Sequence, residues 1–218
     1  PAPTFAEYAA ALQTVNCTIT YSVLDEAADF AITDAFLDAV GQDTDIVFLC
    51  QPNNPTGRIT PPALVEELLR RCAASGAVLA VDECFLDFAA GREALTAKAF
   101  LQEYPNLILF KAFTKLYAMA GVRLGYALCC DTALLEKMRT AGQPWAVSAL
   151  AQAAGTAALD EAAYADAVRA LVAQQRPVLT SGLRALGLRV IEGSANFLLF
   201  CAPADLGQKL RQRGAVAP

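Results

Sequence analysis

Histidine is absent from the 218 residues of this chain. Without an imidazole group the chain cannot form a Ser-His-Asp or Cys-His catalytic arrangement, an HExxH metal site or a histidine general base. Charged residues are few, at 18%, and the net charge is −5, with no cluster of Lys and Arg. This balance argues against nucleic acid or a membrane surface as a partner. Any chemistry must therefore use Lys, Asp, Glu, Cys, Tyr or a cofactor.

Paired cysteines and long apolar runs are also absent. Seven cysteines are present, yet no two have the C-x-x-C spacing, and most lie inside apolar runs such as 46–50. A thiol there acts as a small hydrophobic group, whereas a disulfide framework or a thiolate metal site requires closer pairs. No run reaches the roughly 18 apolar residues of a membrane span, and residues 1–4 lack a signal-peptide pattern. We therefore expect a soluble, cytoplasmic protein with reduced cysteines.

Hydrophobic residues make up 56% of the chain, which is enough for a large buried core. Short apolar runs rich in β-branched residues alternate with helical patterns. The predicted strands are 18–23, 45–50, 77–82, 107–110, 125–129, 188–191 and 197–201. The predicted helices are 34–40, 61–74, 131–140, 148–158 and 161–185. This alternation predicts an α/β fold, in which a mostly parallel sheet lies between helices in three α/β/α layers.

The stretch 61–74 illustrates how the helices are recognised. Thr60 is placed to cap the helix, Pro61 and Pro62 suit its first turn, and Gly76 suits its end. The apolar run that follows shows no alternation, which predicts a strand covered on both faces.

The character of the sequence changes beyond residue 141. Residues 148–185 are rich in Ala and nearly all helical in pattern, and short strand-like runs follow. We expect residues 1–150 to form the sheet-containing large domain. Residues 151–218 are then a linking helix and part of a smaller α+β domain.

Polar side chains follow three of the predicted strands. In an open parallel sheet, ligands bind beyond the carboxyl ends of the strands. Asn54 follows the predicted strand 45–50, Asp82 comes at the end of the strand 77–82, and Lys115 follows the strand 107–110. Arg123 lies eight residues beyond Lys115. Taken singly, these groups are also explained by a turn, a helix cap, a solvated amine and a surface ion pair. Their occurrence on one rim, in a chain without histidine, favours a binding site.

An amide, a carboxylate, an amine and a guanidinium together suit pyridoxal phosphate. This cofactor requires a lysine that holds its aldehyde as a Schiff base and an acid beside its pyridine nitrogen. It also requires a donor for its phenolic oxygen and a cation for its phosphate. We therefore predict pyridoxal phosphate as the cofactor and a small amino compound as the substrate.

Four stretches carry a resemblance to a known family. They are 3–8 (PTFAEY), 52–57 (PNNPTG), 81–88 (VDECFLDF) and 112–126 (AFTKLYAMAGVRLGY), and a weaker likeness continues through 194–197. In order and spacing they resemble the class I/II aminotransferases, which belong to fold type I of the pyridoxal-phosphate enzymes. Within that family they are most similar to the branch of histidinol-phosphate aminotransferase and threonine-phosphate decarboxylase. The resemblance covers nearly all of the chain.

The resemblance implies three central roles. Lys115 would form the Schiff base, Asp82 would pair with the pyridine nitrogen, and Asn54 would donate to the phenolic oxygen. It also implies a homodimer in the full-length protein.

The resemblance implies further contacts and two departures from the family pattern. Arg123 would bind the phosphate, Thr114 would assist beside the lysine, and Phe5 would stack on the ring. Phe85 stands where aminotransferases of this branch usually have a tyrosine. A phenylalanine at this position is more typical of the decarboxylase-like members. Ala112 stands three residues before the lysine, where the family often has a residue with a hydroxyl group.

Length is the third departure. The family's large domain begins some tens of residues before Pro3, with a phosphate-binding helix and residues that reach the partner subunit. Its small domain continues past Gly214 with an arginine for the substrate carboxylate, and Pro218 stands where the branch often has an early arginine. We expect a fragment that binds the cofactor weakly and is inactive alone.

Three functions follow as hypotheses. The first is a pyridoxal-phosphate-dependent aminotransferase that acts on a small amino acid or an amino phosphate. The second is an enzyme similar to threonine-phosphate decarboxylase, and the third is a truncated, non-catalytic remnant.

Overall fold

The computed structural model describes residues 1–214, so the expectation concerning Pro218 lies outside the described residues. The helices are α1 (Glu7–Thr14), α2 (Asp34–Asp38), α3 (Pro62–Ser75), α4 (Arg92–Leu95), α5 (Phe113–Leu116), α6 (Thr132–Ala141), α7 (Ala149–Leu159), α8 (Ala162–Ala185) and α9 (Leu206–Gln212). The strands are β1 (Ile46–Cys50), β2 (Val78–Asp82), β3 (Leu107–Ala112), β4 (Gly125–Leu128), β5 (Arg189–Ile191) and β6 (Leu199–Cys201). Short 3₁₀ turns cover Leu86–Phe88, Ala97–Phe100 and Ala120–Val122.

The strands β1 to β4 form one sheet in chain order. β1, β2 and β3 are mutually parallel, and β4 returns antiparallel to β3. The last two residues of β3, which lie beyond the predicted strand 107–110, pair with the start of β4. The sheet is therefore mixed and mostly parallel, and the predicted α/β fold is confirmed.

One face of this sheet carries the main hydrophobic core. Leu79 and Val81 of β2 are fully buried and pair with Leu107 and Leu109 of β3. Helix α3 covers this face, and its Leu68 has no exposed surface. Each such side chain gains about 1.5–3 kcal/mol by leaving water, which explains why the unalternating run at β2 forms a central strand.

The opposite face of the sheet is covered by helix α1, near the start of the chain. Successive side chains of a strand point to opposite faces of the sheet, so the side chain of Phe48 in β1 points away from the face that buries its neighbour Leu49. Tyr8 of α1 stacks on Phe48 with ring centroids 4.9 Å apart and an interplanar angle of 15°. Sequence analysis did not predict α1, which holds this tyrosine beside the sheet.

The start of α3 differs from the expected capping pattern. Pro61 occupies the N-cap position in an extended conformation, and Thr60 makes no capping hydrogen bond. The backbone N–H of Thr60 instead donates to the side-chain oxygen of Gln51, and the side-chain amide of Gln51 donates to the Thr60 carbonyl, both at 2.8 Å. The extended Pro61 carries Thr60 away from the helix and into the loop after β1. The predicted end at Gly76 is confirmed, because this residue has the left-handed φ of 76° that favours glycine.

The predicted strand 18–23 was wrong. This segment makes only an isolated bridge between Ala2 and Val23, and Val23 is 81% exposed. Its β-branched residues have a strand propensity, but no neighbouring strand of the described chain lies beside them. Propensity alone does not form a strand, because the ladder requires a partner.

The C-terminal part forms a smaller assembly around α8. β5 and β6 make a separate antiparallel pair, and α8 packs against β5 and against the turn Leu86–Phe88. Ala165 of α8 joins Phe88 and Leu116 in a second apolar cluster. Within residues 1–214, no helix has both the length and the apolar character needed to cross a membrane.

The packing of α3 predicts a strong effect of Leu68→Ala. This substitution leaves a cavity under the sheet and should lower the free energy of unfolding by about 2–5 kcal/mol. The control Leu171→Ala removes a leucine that is 56% exposed on α8 and should change it by less than about 0.5 kcal/mol. Urea denaturation followed by circular dichroism measures both, and equal effects would contradict the described core.

Candidate active site

The ends of three adjacent strands bring Asn54, Asp82 and Lys115 to one rim. In the sheet, Cys50 pairs with Asp82 and Asp82 with Phe110, so the strands finish side by side. The turn that carries Asn54 follows β1, and α5, which carries Lys115, follows β3 directly. The parallel sheet therefore gathers groups that are far apart in the sequence.

Asp82 is held by two donors. The hydroxyl of Tyr8 donates to Oδ2 at 2.6 Å, and the backbone N–H of Cys84 donates to Oδ1 at 3.0 Å. Burial, reinforced by the nearby Cys50 and Asp82, raises the pKa of Tyr8, so its hydroxyl keeps its proton and donates. A carboxylate has about four acceptor positions, so one oxygen can still accept from a ligand. The sequence did not predict a role for Tyr8, although this residue ends the stretch 3–8, one of those that carry the family resemblance.

The thiols next to Asp82 stay protonated. Burial and the carboxylate raise the pKa of Cys50 to about 11. Burial also raises the pKa of Cys84, an effect that Lys115 opposes from nearby. These cysteines therefore act as apolar packing at neutral pH and not as nucleophiles.

The two asparagines after β1 have different environments. Asn53 is buried and donates to the Pro3 carbonyl at 2.9 Å and to Thr56 at 3.1 Å, while it accepts from Thr4 at 2.8 Å. The side chain of Asn54 makes no hydrogen bond to any residue of 1–214. Asn53 thus fastens the turn to the start of the chain and leaves the amide of Asn54 available for a ligand.

Lys115 lies on the exposed side of α5 beside an aromatic ring. Its Nζ is 5.0 Å from the centroid of Phe85, which in turn meets Phe197 edge to face at 5.0 Å. Phe85, which stands where the branch usually has a tyrosine, thus lies beside the lysine. Thr114, half-buried, precedes Lys115 on the same turn.

Lys111, the other lysine near the end of β3, makes ion pairs with two carboxylates. Its Nζ lies 3.0 Å from Asp87 and 3.7 Å from Glu83. Glu83 is fully buried and accepts from Thr96 and from the backbone N–H of Ala97. Burial raises the pKa of Glu83, and these hydrogen bonds oppose the rise. Lys111 therefore serves a structural ion pair.

The remaining predicted residues lie at the edge of this arrangement. Phe5 is 39% exposed and packs edge to face on Tyr8, at 5.5 Å, which connects it to Asp82. Arg123 has a left-handed backbone, with φ 58°, and its guanidinium donates to the Ala120 carbonyl at 2.9 Å. Among the described residues, no hydrogen bond or ion pair joins Arg123 to Asn54, Asp82 or Lys115, so its role in phosphate binding stays a prediction.

Comparison with solved structures identifies the class of fold. Histidinol-phosphate aminotransferase from Clostridium acetobutylicum superposes with a TM-score of 0.91 at 24% identity, over 98% of this chain and 65% of that one. The Sinorhizobium meliloti enzyme, solved in complex with pyridoxal 5′-phosphate, gives a TM-score of 0.87 at 23% identity, over 98% and 59%. The fold is that of the pyridoxal-phosphate-dependent aminotransferases.

Sequence comparison then gives the family. The model of aminotransferase class I and II matches residues 1–217, and the chain belongs to this family. Threonine-phosphate decarboxylase from Salmonella typhimurium is 36% identical over 211 residues, which are 96% of this chain and 57% of that protein. Histidinol-phosphate aminotransferase from Symbiobacterium thermophilum is 33% identical over 219 residues, or 99% and 59%. The chain thus spans less than two thirds of the curated relatives.

The contact between Tyr8 and Asp82 predicts the effect of Tyr8→Phe. This variant removes a hydrogen bond to a partly buried carboxylate and should lower the free energy of unfolding by about 1.5–3 kcal/mol. The control Tyr21→Phe alters an exposed tyrosine and should leave the stability unchanged. Urea unfolding at neutral pH compares the two, and a silent Tyr8→Phe would show that the hydroxyl does not hold Asp82.

Proposed function

We propose that this chain is the lysine-bearing part of a pyridoxal-phosphate-dependent aminotransferase that acts on a small amino acid or an amino phosphate. The observation that carries the proposal is the rim geometry. An exposed lysine lies next to an aromatic ring, and a carboxylate fixed by Tyr8 ends the neighbouring strand. Asn54 lies in the turn after β1, the next strand of the sheet, and its side chain has no hydrogen-bond partner among residues 1–214. This set supplies an amine, an acid and a donor, which are the groups that the cofactor requires.

Each residue has a chemical task in this proposal. Bound pyridoxal phosphate supplies an electron-withdrawing ring that eases cleavage of a bond at the substrate Cα. The Nζ of Lys115 would hold the aldehyde, and its amine would move the proton at that carbon. Asp82 would keep a proton on the pyridine nitrogen, and Tyr8 would prevent the carboxylate from turning away. Asn54 would donate to the phenolic oxygen.

The outer contacts are proposed from the resemblance. Phe5, beside Tyr8, would stack on the ring. Thr114 and Arg123 would bind the phosphate, for which the guanidinium of Arg123 would turn from the Ala120 carbonyl.

Decarboxylation of an amino-acid phosphate is the second candidate. Phe85 in place of tyrosine and the 36% identity to the Salmonella decarboxylase favour it. Lys115 and Asp82 would serve this reaction in the same way. The choice depends on which bond at Cα the bound substrate aligns for cleavage.

The setting of the enzyme is part of the proposal. We place the boundary of the large domain near residue 150, with residues 151–218 in the linking helix and small domain. The homodimer of the full-length protein is carried over from the resemblance, and the exposed Trp145 and Leu150 are candidates for the surface that a partner would cover. All seven cysteines are free, which supports a reducing compartment such as the cytoplasm.

Labelling tests Lys115 directly. Borohydride reduction of the full-length protein with pyridoxal phosphate, followed by peptide mapping, should place the pyridoxyl group on Lys115. Lys115→Ala should abolish the label, and the control Lys98→Ala, at an exposed lysine, should retain it. Label on Lys111 or Lys98 would refute the assignment. A full-length protein that takes no label at any lysine would support the non-catalytic remnant.

Substitution of Asp82 tests the acid. Asp82→Asn keeps the shape but loses the charge that holds the pyridinium proton, so the label on Lys115 should persist while turnover falls about 100-fold or more. The control Asp45→Asn alters an exposed carboxylate at the far end of β1 and should leave turnover unchanged. Steady-state kinetics on L-threonine phosphate and L-histidinol phosphate measure both variants. Near-normal turnover of Asp82→Asn would contradict the role.

A further inference from the structure

Arg176 of α8 binds three carbonyls of one irregular segment. Its Nη1 donates to the carbonyls of Ala195 at 2.5 Å and Phe197 at 2.6 Å, and its Nη2 donates to that of Gly193 at 2.6 Å. We name residues 193–197 the 193–197 segment. A guanidinium presents several donors in a rigid planar fork, so one side chain can fix three successive points of a main chain.

The 193–197 segment docks on the turn that carries Asn54. The backbone N–H of Ser194 donates to the Gly57 carbonyl at 2.7 Å. Gly193 lies so close to Gly57 that a Cβ added to it would be 2.8 Å from the Gly57 Cα. A side chain at either glycine would separate the two backbones, and the contact therefore requires glycine at both positions.

The far end of the same segment reaches the aromatic ring beside the lysine. Phe197 meets Phe85 edge to face, with an interplanar angle of 87°, and the Phe85 centroid is 5.0 Å from the Nζ of Lys115. The segment thus contacts the rim at two places, near Asn54 through Gly57 and near Lys115 through Phe85. The hydrogen bonds of Arg176 go to the 193–197 segment, and none joins it to Gly57 or Lys115 within residues 1–214.

We propose that Arg176 is a positioning residue that fixes the 193–197 segment so that Phe197 and Phe85 form one wall of the substrate pocket beside Lys115. The ring of Phe197 then limits the size of the substrate group that fits next to the lysine. This inference rests on the proposed function, because it assigns a substrate pocket to the same rim.

The test uses the full-length protein with pyridoxal phosphate and four variants. Arg176→Met removes the donors and keeps the apolar stem, and Arg176→Lys keeps the charge without the fork. Gly193→Ala pushes the segment from Gly57 while Arg176 stays intact. Gln175→Met, at an exposed neighbour on α8, is the matched control.

The expected result is a change in substrate binding with little change in chemistry. A wall contacts the ground state and the transition state alike, so Arg176→Met should raise KM for L-threonine phosphate or L-histidinol phosphate about tenfold and lower kcat less than about threefold. The label on Lys115 should persist. Arg176→Lys should fall between Arg176→Met and the wild type, Gly193→Ala should resemble Arg176→Met, and Gln175→Met should resemble the wild type.

Coupling between the segment and the lysine site separates positioning from a merely structural role. Hydrogen exchange in Arg176→Met should accelerate in peptides that cover 193–199 and also in those that cover 82–88. The double variant Arg176→Met with Phe197→Leu should raise KM no more than the more severe single variant, because Arg176 acts through Phe197. Additive effects, or exchange that changes only in 193–199, would overturn the inference.

Failure of the inference is distinguishable from failure of the proposed function. A wild-type protein that takes no label on Lys115 refutes the function, and the exchange experiment still decides whether Arg176 positions the rim. A labelled wild type with an unchanged KM in Arg176→Met refutes the inference alone. If Arg176→Met does not fold, Gly193→Ala and Phe197→Leu test the same wall, and a normal KM in both would overturn the proposal.

Discussion

β2 pairs in parallel with β1 along one edge and with β3 along the other, so its main-chain groups are used within the sheet. The rim depends on this double pairing. Because all three strands finish on the same side, Asp82, the turn with Asn54 and the helix with Lys115 lie at one edge of the sheet, although they are far apart in the sequence. The packing of α3 under the sheet keeps the strands in register, and the site is therefore a consequence of the core.

The sequence predicts the central sheet well, because continuous apolar runs between helical patterns have few alternative arrangements in an α/β protein. It predicts the segment 18–23 wrongly, since strand propensity does not reveal whether a partner strand exists. Thr60 shows a related limit, because a capping residue and a loop anchor have the same local pattern. The hydrogen bond from Tyr8 to Asp82 joins residues 74 positions apart, and no local pattern marks such a contact.

The site residues were recognised through motifs, and the structure adds what distinguishes neighbours within a motif. Asn53 is hydrogen-bonded to Pro3, Thr4 and Thr56, whereas the side chain of Asn54 has no hydrogen-bond partner among residues 1–214. Lys111 and Lys115 are both near the end of β3, and ion pairing at Lys111 separates the structural lysine from the exposed one. Composition gives no means of making either distinction.

Asp82 ends β2 and Glu83 follows it directly, yet the two acids have opposite surroundings, Tyr8 for the first and Thr96 and Ala97 for the second. This arrangement has a consequence for how β2 tolerates error. A slip of β2 by a single residue would exchange the two faces. The carboxylate of Asp82 would then point into the interior near Thr96 and Ala97, and the carboxylate of Glu83 would point to the rim. One misalignment would thus unbalance the core and disable the site together. Selection for activity therefore also selects against misregistered folding of this strand.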